Sequence, residues 1–178
     1  MATLKSEDKE FESSLTIEPG DKIAISAPIN HKDQSERQEQ IWQFVRLTMT
    51  NGPRVLTFET PEHSAEEQAE LAQSVTNIQE VAHAYLVCRK PTDEITQLVA
   101  KLEDMAADKR SQVLFEPAEP SFELSIHSIG GGLKVEFFVD AGNVETGIYR
   151  WDALGMRFFT NAQRLESFIA GLKADFNC

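Results

Sequence analysis

Cysteine is scarce, basic residues are few and long apolar runs are missing, and each shortage closes a class of function. Only two of the 178 residues, Cys88 and Cys178, are cysteines, too few for a disulfide framework or a cysteine-rich metal site. A chain so poor in cysteine reads as a protein of a reducing cytoplasm. Nowhere do about 18 apolar residues follow one another, as a membrane-spanning helix needs, and Met1 to Glu12 holds no apolar stretch of the kind found in secretory leaders. Lys and Arg number 17 against 29 Asp and Glu, a formal net charge of −12. That excess repels phosphate backbones and anionic lipid, which argues against nucleic acid and membrane as partners and leaves a basic protein surface open as one.

The remaining composition, 41% hydrophobic and 26% charged, is that of a globular chain long enough to bury a core without staples. Residues 1–12 have too few apolar side chains to bury and read as a flexible tail, with one domain over 13–178. Leu15 to Ile17, Glu18-Pro19-Gly20-Asp21 and Ile23 to Ile25 read as strand, turn and strand. Ile41 to Thr50 fits two periods. As a helix it would start at Ser35 with Ile41, Val45 and Met49 on one face; as a strand it would turn at Asn51-Gly52 into Val55 to Phe58. Its β-branched and aromatic content favours the hairpin. Ser64 with Glu67 opens a helix through Val75. Val81 to Cys88 is a strand, and Thr92 caps a helix with Ile95, Leu98, Val99, Leu102 and Met105 on one stripe. Val113 to Phe115, Phe122 to Ile126, Leu133 to Val139, Gly147 to Trp151 and Met156 to Phe159 follow as strands, with a turn at Gly130-Gly131-Gly132. A capping box at Thr160 and Gln163 leads into a last helix carrying Leu165, Phe168, Ile169 and Leu172. The expected fold is α+β, a mostly antiparallel sheet with about three helices packed on it.

The strand running into Cys88-Arg89-Lys90-Pro91-Thr92, the helix from Glu94 to Leu102, Leu114-Phe115-Glu116-Pro117 with Phe122-Glu123-Leu124, the alternation from Leu133 to Phe137, and the helix through Leu165, Phe168 and Leu172 to Phe176 together resemble the immunity-protein WapI-like family. The resemblance spans about residues 81–176. It implies a bacterial immunity protein, found beside polymorphic toxins, with no catalytic motif to carry over. The matching positions are packing and turn positions, so the resemblance speaks first to fold.

Motifs with chemical meaning have plainer explanations. His31, His63, His83 and His127 lie in different elements, and no two share a helix face at ligand spacing. Cys88 alternates within a strand, where a thiol is a small buried hydrophobe. Gly130-Gly131-Gly132 has no following Gly-Lys-Ser/Thr and leads into a strand, so it is a hairpin loop rather than a phosphate cradle. Asp140, Asn143 and Glu145 lack the alternating oxygens of a calcium loop and read as a turn. No metal, cofactor or catalytic residue is expected. Two surfaces suggest binding instead. Glu66, Glu67 and Glu70 on this predicted helix, with Glu62 just before its cap, gather four carboxylates, and Glu66 and Glu70 stand four apart and oppose each other. Adjacent aromatics in strands, Phe137-Phe138 and Phe158-Phe159, must each send one ring outward unless the second face of the sheet is covered. Trp42, Phe44, Phe58, Tyr149 and Trp151 add to the strand aromatics.

Acidity, absent chemistry and the resemblance favour a non-enzymatic cytoplasmic protein that blocks a basic toxin domain sterically and electrostatically. A pocket-bearing enzyme or ligand-binding domain, and a module that dimerises through a sheet edge, are the other readings.

Overall fold

A computed structural model describes residues 1–30, 33–59, 79–83, 87–88, 91–117, 122–140 and 153–178. The strands are β1 (Ala2–Lys5), β2 (Ser13–Asn30), β3 (Asp33–Asn51), β4 (Arg54–Glu59), β5 (Gln79–His83), β6 (Val87–Cys88), β7 (Gln112–Phe115), β8 (Phe122–Ile129), β9 (Gly132–Asp140) and β10 (Ala153–Thr160), and the helices are α1 (Pro91–Ala106) and α2 (Ala162–Phe176). They form two sheets where the sequence suggested one. The first runs β1-β2-β3-β4-β5 with β6 also on β3, and the second is the meander β10-β9-β8-β7. All pairings are antiparallel except β4 with β5. The class is α+β as expected. Two helices, rather than about three, occur among the described residues; the helix expected from Ser64 to Val75 lies outside them, as does the strand expected at Gly147 to Trp151.

The expected N-terminal tail is instead structural. β1 pairs with β2 from Ala2↔Ile17 to Lys5↔Ser14, and Ala2 and Leu4 are completely buried. The pattern was illegible because two short apolar side chains are too few to suggest burial until α2 is known to lie over them. A Cβ on Gly171 of α2 would come within 2.7 Å of Ala2 Cα. Only a residue without one lets helix and strand backbones approach that far.

Pro19-Gly20 also differs from expectation. β2 and β3 pair from Ser13↔Asn51 to Asn30↔Asp33, with a register shift between Pro19 and Lys22. The signal read as a turn is therefore a bulge in one continuous strand, held where Gln43 Nε2 donates to Gly20 O at 3.3 Å. Bulges use the residues that turns use. The strand reading of Ile41 to Thr50 holds. Asn51 pairs with Arg54 across Gly52-Pro53, and Gly52 has the positive φ of 58° that a primed hairpin turn requires. The Gly130-Gly131 loop has φ values of 56° and 91° and joins β8 to β9 as expected.

α1 packs on α2 and β7, and α2 packs on β1 and β2. The stripe Ile95, Leu98, Val99, Leu102 and Met105 is buried, together with Leu165, Phe168, Ile169 and Leu172 of α2 and the inward residues of both sheets, in one cluster. Phe115, Phe122 and Phe137 follow one another in it, with ring centroids 5.8 and 5.9 Å apart. Two expected caps move. α1 starts at Pro91, where a fixed φ suits the first helical position, so Thr92 falls inside the first turn. Asn161, not Thr160, caps α2, its Oδ1 accepting from Arg164 N at 3.0 Å.

A seam joins the sheets edge to edge. Glu7 N donates to Phe159 O at 2.9 Å, and Thr160 Oγ1 donates to Lys5 O at 2.6 Å. β1 and β10, each the edge strand of its own sheet, are tied together there.

Candidate partner-binding surface

Glu62, Glu66, Glu67 and Glu70, the acidic positions expected to bind a partner, lie outside the described residues. The aromatic expectation can be followed. Phe137 and Phe158 enter the core, while Phe159 is 54% exposed. Phe138 is half-buried and lies over Gly155, where a Cβ would collide with its ring. Tyr149 and Trp151 lie outside the described residues.

Register builds the outer face of the β7–β10 sheet. Leu114, Ser125, Glu136 and Arg157 form one cross-strand row, and Gln112, His127, Lys134 and Phe159 form the next. Glu136 organises the first row. Its Oε1 accepts from Arg157 Nε at 2.7 Å and its Oε2 lies 2.7 Å from Lys134 Nζ. The hydrogen bond from Lys134, helped by Arg157, holds the Glu136 carboxyl below its ordinary range. Leu114, Ile129 and Phe159, half of the exposed large hydrophobics among the described residues, stand around this charged centre. Sequence reasoning missed the cluster. The Lys134-x-Glu136 spacing hinted at one face of a strand, but Arg157 and His127 join it only through the register.

Ser125, His127 and Glu136 invite comparison with a catalytic relay, and the geometry refuses it. Ser125 Oγ lies 2.8 Å from His127 Nε2, and Glu136 Oε2 lies 3.9 Å from that same nitrogen. A relay needs the carboxylate on the opposite ring nitrogen, where it can orient the base. Glu136 is also committed to two cations. Of the four histidines only His127 has a described side chain, and no three His, Cys, Asp or Glu side chains among the described residues gather as a metal site. Cys88 lies in β6, paired with Gln43, and Asp140 ends β9. A cleft of about 640 Å³ between α1 and α2 is lined by Ala100, Glu103, Asp104, Glu166, Ile169 and Lys173, among others. The Lys173 ammonium is ion-paired to Glu103 there.

Across the seam the loop between β1 and β2 is closely tied down. Asp8 Oδ1 accepts from both Glu10 N and Phe11 N, at 2.9 and 3.0 Å, and Ser6 N donates to Ser13 O at 2.7 Å. Gly52 N donates to Glu12 O at 2.8 Å, and the Phe11 ring rests on Gly52. Glu12 reaches back to Lys5 Nζ at 2.8 Å, and that hydrogen bond lowers its carboxyl pKa. Glu7 accepts from Asn161 Nδ2 at 2.7 Å. These contacts fix a loop of four carboxylates beside Phe159. Further out, the hydroxyls of Thr3 and Thr16 meet at 3.0 Å and those of Thr48 and Thr57 at 3.2 Å, forming a polar row across β1 to β4.

This surface sets three exposed apolar side chains, Leu114, Ile129 and Phe159, beside a paired charge cluster. The family model described as immunity protein WapI-like matches residues 45–177. The chain belongs to this immunity-protein family. The match begins within β3, well before residue 81 where the sequence resemblance started, so it takes in the hairpin to β4. No curated protein matches the chain, and no solved structure does. The immunity-family portion holds α1, α2 and the whole β7–β10 sheet, while β1, the acidic loop and β2 precede it. No helix among the described residues is long and apolar enough to cross a membrane.

Proposed function

We propose that this immunity-family chain neutralises one cognate bacterial toxin domain by binding it and covering its working surface, without chemistry of its own. The observation that carries this reading is the family match over residues 45–177. The net charge of −12 supports it, because an acidic surface speeds encounter with a basic one and discourages nucleic acid and lipid. The face built around Glu136 supports binding rather than turnover. The site of action is the cytoplasm, where a toxin would meet its target. Glu62, Glu66, Glu67 and Glu70 belong to this proposal as a steering strip whose carboxylates raise the association rate.

The test uses the toxin domain encoded beside this chain. Titrating purified protein into it should abolish toxicity or nuclease activity with a break at equimolar amounts, and a complex should persist on gel filtration. Neutralisation by a small fraction of an equivalent would mean turnover and sink the reading, as would failure to bind. Replacing Glu66 and Glu70 with Lys should slow association several-fold and leave dissociation nearly unchanged.

A further inference from the structure

We infer that the outer face at the seam between β1 and β10, with Phe159 at its centre and the carboxylates of the Ser6–Glu12 loop as its rim, is the surface on which a basic protein partner docks. This rests on the toxin-neutralising reading above. Phe159 is the starting point. It lies near the end of β10, the edge strand that meets the β1 segment at the seam, and it is 54% exposed, because both helices lie against the opposite, inward face of the strands. A large ring left in water on a rigid strand is what a partner's pocket can desolvate, and buried aromatic and Arg side chains dominate protein interfaces. Arg157 stands two residues away on the same face, 62% exposed and oriented by Glu136.

The choice of a basic occupant follows from charge. On the β1 side of Phe159 lie Glu7, Asp8, Glu10 and Glu12, with Lys9 the one cation within the loop and Lys5 already engaged by Glu12. The loop's backbone is held by Asp8, Ser6, Ser13 and Gly52, so its carboxylates are presented with little ordering cost on binding. The Phe11 ring, 49% exposed, stands at the same loop. Phe159 and Arg157 lie inside the stretch shared with the family, whereas the acidic rim at residues 6–12 lies before it. The anchor thus falls within the family match, and the rim that precedes it supplies the charge.

The experiment measures binding of the full chain to the toxin domain encoded beside it, by surface plasmon resonance at low and high salt, together with sedimentation of the chain alone. Phe159→Ala should weaken binding by about 30-fold or more, mainly through faster dissociation. Glu10→Lys should slow association several-fold and flatten its salt dependence while dissociation barely changes. Both residues are exposed, so circular dichroism and thermal midpoints should match the parent. Glu166→Lys, on a helix of the opposite layer, should bind as the parent does. If the parent binds while Phe159→Ala and Glu10→Lys stay within twofold of it, the seam is not the docking surface although the toxin reading stands. Loss of binding in Glu166→Lys alone would move the interface to the helices. A dimer of the chain that Phe159→Ala dissolves would make a second copy the occupant and overturn the proposal. No binding by the parent would remove the toxin reading and the docking surface together.

Discussion

Thr160 carries a hydroxyl into a fully buried position, and its donation to Lys5 O stitches the two sheets together. Thr160→Val keeps the shape but leaves that carbonyl without its donor, so it should cost about 1–3 kcal/mol, read from urea unfolding. In the sequence this residue looked like a helix cap. Thr160 and Asn161 are both good caps, and nothing local says that one of them is needed 155 residues away. Glu136 was illegible for a similar reason, since its two cations come from its own strand and from a strand paired through the register. Its lowered pKa makes a signed prediction. The pairing stabilises the fold fully at pH above the ordinary carboxyl value of 4.5 and is lost as pH falls below it through the lowered value. Glu12, lowered by its hydrogen bond with Lys5, adds in the same direction. Glu136→Gln should therefore be less stable at neutral pH and show a shallower loss on acidification; an unchanged pH profile would mean the ion cluster contributes nothing to folding.

Elements were legible wherever one stretch contained both its period and its stop. α1 and α2 show their apolar stripes in sequence, and β8 and β9 are joined by glycines whose positive φ values the turn demands. Where an element depends on a distant partner the sequence misleads. Pro19-Gly20 looks like a hairpin turn, yet Pro19 pairs with Val45 and the strand runs on. The start of α2 offers a test at this scale. Asn161 caps the helix through Oδ1 and holds Glu7 through Nδ2. Asn161→Ala should cost about 0.5–2 kcal/mol for the cap, while Asn161→Asp should keep the cap and lose the contact with Glu7. Thermal midpoints of the two variants separate helix capping from loop anchoring.

At the scale of the whole molecule, residues from both sheets and both helices share one buried cluster. Heat or denaturant should therefore unfold it in a single transition, with fluorescence and far-ultraviolet dichroism coinciding. Removing residues 1–12 should destroy that transition, because Ala2 and Leu4 leave the core and Leu15, Ile17 and the face of α2 lose their cover; a truncated chain that melts like the parent would restore the reading of this segment as a tail. The sequence conveyed the α+β class because patterning is local, but not the closure, because closure joins β1 to α2 across most of the chain. That closure also sets an order in time. A ribosome makes α2 some 150 residues after β1, at roughly 5–20 residues per second, so that strand must wait seconds for the helix that shelters it. The contact between β1 and α2 can form only once α2 has been made, and such long-range closure is slow to form.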